Sequence, residues 1–110
     1  MEMKRGEIWW VDFEPAVGSE IKKTRPAVIV SNDAANKFLA RVVVVPVTSN
    51  TSRCYPGEAI VHVGENLNKV LTDQITSADK TRLKRFLGKL SKTDMLAVED
   101  AVKIQLGLPR

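Results

Sequence analysis

Few side chains in this sequence are placed to do chemistry, and most of them flank two apolar runs. Arg25 stands before Pro26 at the head of one run. Thr48 ends another and is followed by Ser49, Asn50, Thr51, Ser52 and Arg53. The segment leading into Arg25 reads Gly18-Ser19-Glu20-Ile21-Lys22-Lys23-Thr24. Arginine carries a planar, permanently charged fork that matches phosphate oxygens, and a threonine hydroxyl can donate to one of them. Other chemistries lack their parts. One histidine, His62, makes neither an imidazole pair nor a multi-histidine metal site, and the single Cys54 cannot build a structural zinc site. Walker-type, GxGxxG and GxSxG strings are missing, and the carboxylates are scattered. The expectation is an enzyme that uses no cofactor and no metal.

The elements that must position these groups are mostly strands. Glu7–Phe13 is aromatic and β-branched, and Pro15 and Gly18 stop it. Arg25–Asn32 and Arg41–Thr48 are short, nearly continuous Val/Ile runs, as strands buried on both faces require. Pro46 cannot donate to a ladder, which predicts an irregular or edge position there. Glu58–Val63 alternates polar and apolar, and Leu71–Ala78 is a weaker strand candidate. Asp33–Leu39 suits one turn of helix. Over Thr81–Leu90 the pattern favours a helical turn followed by a strand.

The tail is helical: Ser91 and Asp94 have capping-box spacing, and Met95, Val98, Val102 and Leu106 recur on one face. Gly107 and Pro109 supply the stop. This order fits a small, mainly β, mostly antiparallel barrel closed by a C-terminal helix, with sheet edges removed by closure. If the two central runs pair antiparallel, Arg25 and Thr48 share one rim, with both polar loops above them.

At 110 residues the chain is expected to form one domain spanning residues 1–110. Apolar residues at 44% and charged residues at 27% argue against wholesale disorder. Seventeen basic against 13 acidic side chains leave a formal charge of +4, a mild preference for polyanions. The first residues, MEMKRGEIWWVDF, lack a signal peptide's clean apolar stretch, and the apolar run Val42 to Val47 is far short of the ~20 residues a membrane span needs. With a lone cysteine, a reducing cytoplasm is the expected compartment, away from membranes.

Five segments together are diagnostic: KRGEIWWVDFEPAVGSE, TRPAVIVSND, VVPVTSN, LTDQITSADKTRL and GKLSKTDMLAVEDAVKIQLGL. In that order, they resemble the MazF/PemK family of toxin-antitoxin endoribonucleases over nearly the whole chain. The resemblance implies a small SH3-like barrel with a C-terminal helix, shared with CcdB toxins. It implies that Arg25 is the catalytic arginine and Thr48 the catalytic Ser/Thr. It also implies metal-independent, sequence-specific cutting of single-stranded RNA to 2′,3′-cyclic phosphate and 5′-hydroxyl ends. The implied partners are a second copy of the chain and a MazE-like antitoxin. Glu20 follows the family pattern, whereas Ile21 stands where many members carry glutamine.

Transesterification needs a deprotonated 2′-hydroxyl, a stabilised phosphorane and a protonated 5′-oxygen. Arg25 suits the second task, because a fixed cation aimed at developing charge is worth far more than it is in water. Guanidinium stays protonated above pKa 12, so Arg25 makes a poor base. Glu20 is a candidate base where its carboxylate reaches the attacking hydroxyl. Ser19, Glu20, Lys22, Lys23, Ser49, Arg53 and Gln74 complete the expected substrate contacts. Each also has an ordinary reading as an exposed polar residue, as does Tyr55, a candidate base-stacking residue. The basic run Lys80, Arg82, Lys84, Arg85, Lys89, Lys92 reads first as a solvated face. His62 reads as structural. Two other functions fit a barrel of this kind, namely gyrase inhibition of the CcdB type and RNA binding without cleavage. The first is associated with a tryptophan near the C-terminus, and here the last tryptophan is Trp10.

Overall fold

The computed structural model describes residues 2–110. Its elements are β1 (Glu7–Asp12), β2 (Thr24–Ile29), α1 (Asp33–Phe38), β3 (Arg41–Thr48), β4 (Ala59–Val63), β5 (Asn66–Val70), β6 (Thr76–Asp79), β7 (Leu83–Lys89) and α2 (Lys92–Leu106). The strands form one antiparallel sheet in the order β4-β5-β3-β2-β1-β7, with β6 paired to the first half of β3. The sheet curls into a half-barrel. Among the described residues its closure is partial, because β4 and β7 each keep an unpaired edge. The β7 edge carries Lys84, Arg85 and Lys89, charges of the kind that discourage edge-to-edge pairing.

The Val/Ile runs are buried on both faces and so feed two cores. Ile8, Val28, Val45, Val47, Val61, Val70 and Leu90 pack with Val98 and Ala101 of α2. Trp9, Val11, Ala27, Ile29, Val42, Val44, Ala78 and Leu83 fill the other face. The Trp9 ring meets Phe86 edge-on, with centroids 5.7 Å apart. Trp10 is half-buried on the opposite face, as alternation along a strand requires. Helix α2 starts as its capping signal predicts: the Ser91 side chain accepts from the Asp94 backbone N–H at 3.1 Å. It ends at Gly107, whose φ of 70° is left-handed.

Several expectations are refined or corrected. Pro46 is not at a sheet edge but buried in central β3, opposite Ala27, where the strand is irregular as expected. It is tolerated because β3 changes partner there: residues 41–44 pair with β6 and 47–48 with β5. Leu71–Ala78 divides into a 3-10 turn at Thr72–Gln74 and strand β6. Strand β5 escapes a sequence reading because its alternation is inverted: Leu67 is exposed while Asn68 is buried. Leu106 is exposed, and Ala101 takes its place on the buried face of α2. The turn-then-strand expectation over Thr81–Leu90 agrees with the 3-10 turn Lys80–Arg82 followed by β7.

Candidate active site

Strands β1, β2, β3, β5 and β4 carry the candidate site on one cross-strand row. The β2–β3 register pairs Ile29 with Val44, Val28 with Val45 and Ala27 with Pro46. Carried two residues further, it sets Arg25 against Thr48, and residues directly opposite in an antiparallel pair project to the same face. Arg25 also faces Val11 of β1, and Thr48 faces Lys69 of β5, which in turn faces Ile60 of β4. The continued register therefore places Arg25 and Thr48 on one face at the same end of β2 and β3. Arg25 is exposed, and its Nε donates to the Lys22 carbonyl at 3.3 Å. Thr48 is half-buried, and its Oγ1 accepts from the Asn50 N–H at 3.2 Å. A hydroxyl can accept and donate at once, so while Oγ1 accepts from Asn50 the Thr48 proton remains available to a ligand.

Two loops rise beside this rim. The first runs from Phe13 to Lys23, and its base is tied closed. Phe13 N donates to the Lys23 carbonyl at 3.0 Å, and Lys23 N donates to Glu14 Oε1 at 2.7 Å. Lys23 has a φ of 66°, so the chain turns through a left-handed residue directly before β2. Lys22 and Lys23 are exposed and bring two positive charges close to Arg25 in the chain. Ser19 and Glu20 lie further along the loop and line a groove of about 500 Å³ with Asp12, Phe13, Gln74, Ser77 and Arg82. Glu20 Oε1 accepts from the Val17 N–H at 2.7 Å, so this carboxylate is engaged within its own loop. Gln74 bridges the groove, its Oε1 accepting from the Ile21 N–H at 3.3 Å.

The second loop, residues 49–58, continues from Thr48. Ser49 is exposed at its start. Asn50 Oδ1 accepts from the Ser52 N–H at 3.2 Å and from its hydroxyl at 2.8 Å. Arg53 Nη1 donates to the Tyr55 hydroxyl at 3.2 Å, joining an expected substrate contact to the candidate base-stacking residue. The structure thus gathers Arg25, Thr48, Lys22 and Lys23 at the rim. Ser19, Glu20 and Gln74 line the adjoining groove, and Ser49 and Arg53 lie on the second loop.

Two positions were not anticipated. Arg82 belongs to the basic run read as a solvated face, yet it is half-buried. Its guanidinium donates to the Asp12 carbonyl at 3.0 Å and to that of Glu14, anchoring the end of β1 under the groove. Lys80 is similarly engaged with the Asn36 carbonyl, while Lys84, Arg85, Lys89 and Lys92 are exposed. Lys69 was missed along with β5; no local signal distinguishes it. His62 is exposed and paired through Nδ1 with Asp94 Oδ2 at 3.0 Å, at the start of α2 and consistent with a structural role. Among the described residues, no group of three or more His, Cys, Asp or Glu side chains is arranged to hold a metal ion.

Comparison with known proteins gives a consistent result. Residues 4–106 match the model of the PemK-like, MazF-like toxins of type II toxin-antitoxin systems. The endoribonuclease MazF9 of Mycobacterium tuberculosis is 41% identical, over 96% of this chain and 98% of its own. The endoribonuclease MazF of Staphylococcus epidermidis is 36% identical, over 96% and 92%. Among solved structures, MazF from Deinococcus radiodurans superimposes with a TM-score of 0.85 at 28% identity, covering 98% of this chain and 99% of that one. A mycobacterial endoribonuclease in complex with its cognate antitoxin gives a TM-score of 0.82 at 28% identity, covering 98% of each chain.

Proposed function

The chain belongs to the PemK-like, MazF-like toxins of type II toxin-antitoxin systems, and from that membership we propose that it is a sequence-specific endoribonuclease acting on single-stranded RNA. Residues 1–110 act as one toxin domain. The observation that carries the residue assignment is the β2–β3 register, which supports Arg25 and Thr48 working on the same phosphodiester. Attack of the ribose 2′-oxygen on phosphorus breaks the bond to the 5′-oxygen, leaving a 2′,3′-cyclic phosphate and a 5′-hydroxyl. Arg25 stabilises the negative charge that grows on the phosphoryl oxygens, and the Thr48 hydroxyl donates to one of them. Neither residue serves as the base, because one is permanently protonated and the other is a donor in this arrangement. Lys22, Lys23, Ser49 and Arg53 hold the RNA on either side of the rim, and Ser19, Glu20 and Gln74 contact it along the groove.

No helix among the described residues is long and apolar enough to cross a membrane. We place the protein in the cytoplasm, a reading supported by the single free cysteine and by the RNA substrate. It acts as a homodimer, the assembly that its family membership implies. A MazE-like antitoxin neutralises it by laying an acidic segment over the positive rim, in competition with RNA. The mycobacterial endoribonuclease solved in complex with its cognate antitoxin supports this partner.

The test is incubation of the purified protein with a long RNA in EDTA, followed by mapping of the ends. Cyclic-phosphate and 5′-hydroxyl ends at a recurring motif are expected. Loss of cutting in EDTA overturns the metal-independent mechanism, and saturable binding without scission overturns the nuclease reading.

A further inference from the structure

One register step beyond Thr48 on the cross-strand row stands a lysine that the proposed mechanism does not use. Lys69 of β5 is opposite Thr48, and side chains so paired have Cβ atoms about 4.5–5.5 Å apart. Unlike the loop lysines, Lys69 is enclosed, with its side chain 11% exposed. Its ammonium lies 3.4 Å from Glu58 Oε1, on a side chain only 16% exposed, and donates to the Arg53 carbonyl at 2.8 Å. The same Glu58 oxygen accepts from the Tyr55 N–H at 2.8 Å. One largely buried ion pair therefore grips the second loop at residues 53 and 55.

From that clamp the contacts run back to the reacting hydroxyl. The turn at Asn50–Ser52 is closed by the Asn50 side chain, and the Asn50 N–H occupies one acceptor position on Thr48 Oγ1. The direction of the Thr48 proton thus depends on the path of this loop, and the loop's far end is held by Lys69. We propose that Lys69, paired with Glu58, is a positioning residue of the cleavage site: it fixes the 50–55 segment so that Thr48 presents its proton to the scissile phosphate. This rests on the endoribonuclease reading above. Lys69 does not contact the reacting atoms. Its effect reaches them through Thr48, so the larger share of the loss belongs to the chemical step, with a smaller share in RNA binding through Arg53.

Two variants and two readouts test this. Lys69→Met removes the cation, and the double variant Lys69→Met/Glu58→Gln removes both charges, so that no carboxylate is left uncompensated. In both, kcat is expected to fall roughly tenfold or more, since a misplacement of about 1 Å caused by a mutation away from the chemistry can cost 10²-fold, while KM rises by a smaller factor through Arg53 on the same loop. Backbone NMR order parameters over residues 50–55 are expected to fall while those of β3 stay high. Lys69→Arg, which keeps a cation there, is expected to recover most of the rate. Unchanged kcat in the double variant overturns the proposal. So does a loss confined to KM, which would make Lys69 a direct phosphate contact, or an unaltered 50–55 segment. If the wild-type protein cuts no RNA, the endoribonuclease reading fails, and the order parameters alone decide whether Lys69 holds the loop.

Discussion

In the proposed mechanism, arginine suits position 25 by its geometry as well as its charge. Two parallel N–H groups can reach two phosphoryl oxygens at once, whereas a lysine offers a single point charge on a flexible stem. Arg25→Ala is therefore expected to lower the cleavage rate by at least roughly 10²–10³-fold, as loss of an oxyanion-hole donor does. Arg25→Lys should recover only part of it. Because Arg25 is exposed, both variants should keep the wild-type circular dichroism spectrum and melting curve. Single-turnover cleavage of a short RNA measures the rate. Normal cutting by folded Arg25→Ala removes this residue from the mechanism.

At the scale of the element, the joint between β6 and β7 is held by a carboxylate. Asp79 caps the 3-10 turn Lys80–Arg82 by accepting from the Thr81 N–H at 2.9 Å and from its hydroxyl at 2.7 Å. These bonds, the backbone N–H first, hold the Asp79 pKa below the ordinary aspartate value, with a smaller contribution from Arg41 and Arg82. The sign follows from linkage. A carboxylate with a lowered folded-state pKa adds stability above its unfolded pKa, and that contribution disappears as pH falls through the lowered value. Asp79→Asn is thus expected to melt earlier than wild type at neutral pH, with the gap narrowing as the solution is acidified below the usual carboxylate range. Melting curves at a series of pH values measure it. The turn matters to function because Arg82, at its end, ties down the carbonyls of Asp12 and Glu14 beneath the groove.

At the scale of the whole molecule, the strands that carry Arg25 and Thr48 are central and buried on both faces, so the rim stands on both cores of the fold. Ile29, fully buried four residues after Arg25, lies in that support. Ile29→Ala is expected to cost about 2–5 kcal/mol of stability, measured by urea unfolding, through lost burial and an incompletely filled cavity. Much of this architecture was legible in the residues. The Val/Ile content of residues 25–32 and 41–48 indicated buried strands, Ser91, Asp94 and Gly107 marked both ends of α2, and antiparallel pairing alone brought Arg25 towards Thr48. Those signals are local, arising from side-chain shape, capping chemistry and alternation, and so can be read along the chain. Strand β5, the change of partner that accommodates Pro46, the anchoring role of Arg82 and the Lys69–Glu58 clamp were not legible. Each depends on which distant segment lies alongside, and neither the inverted alternation of Leu67 and Asn68 nor an ordinary-looking lysine carries that information until the sheet has curled.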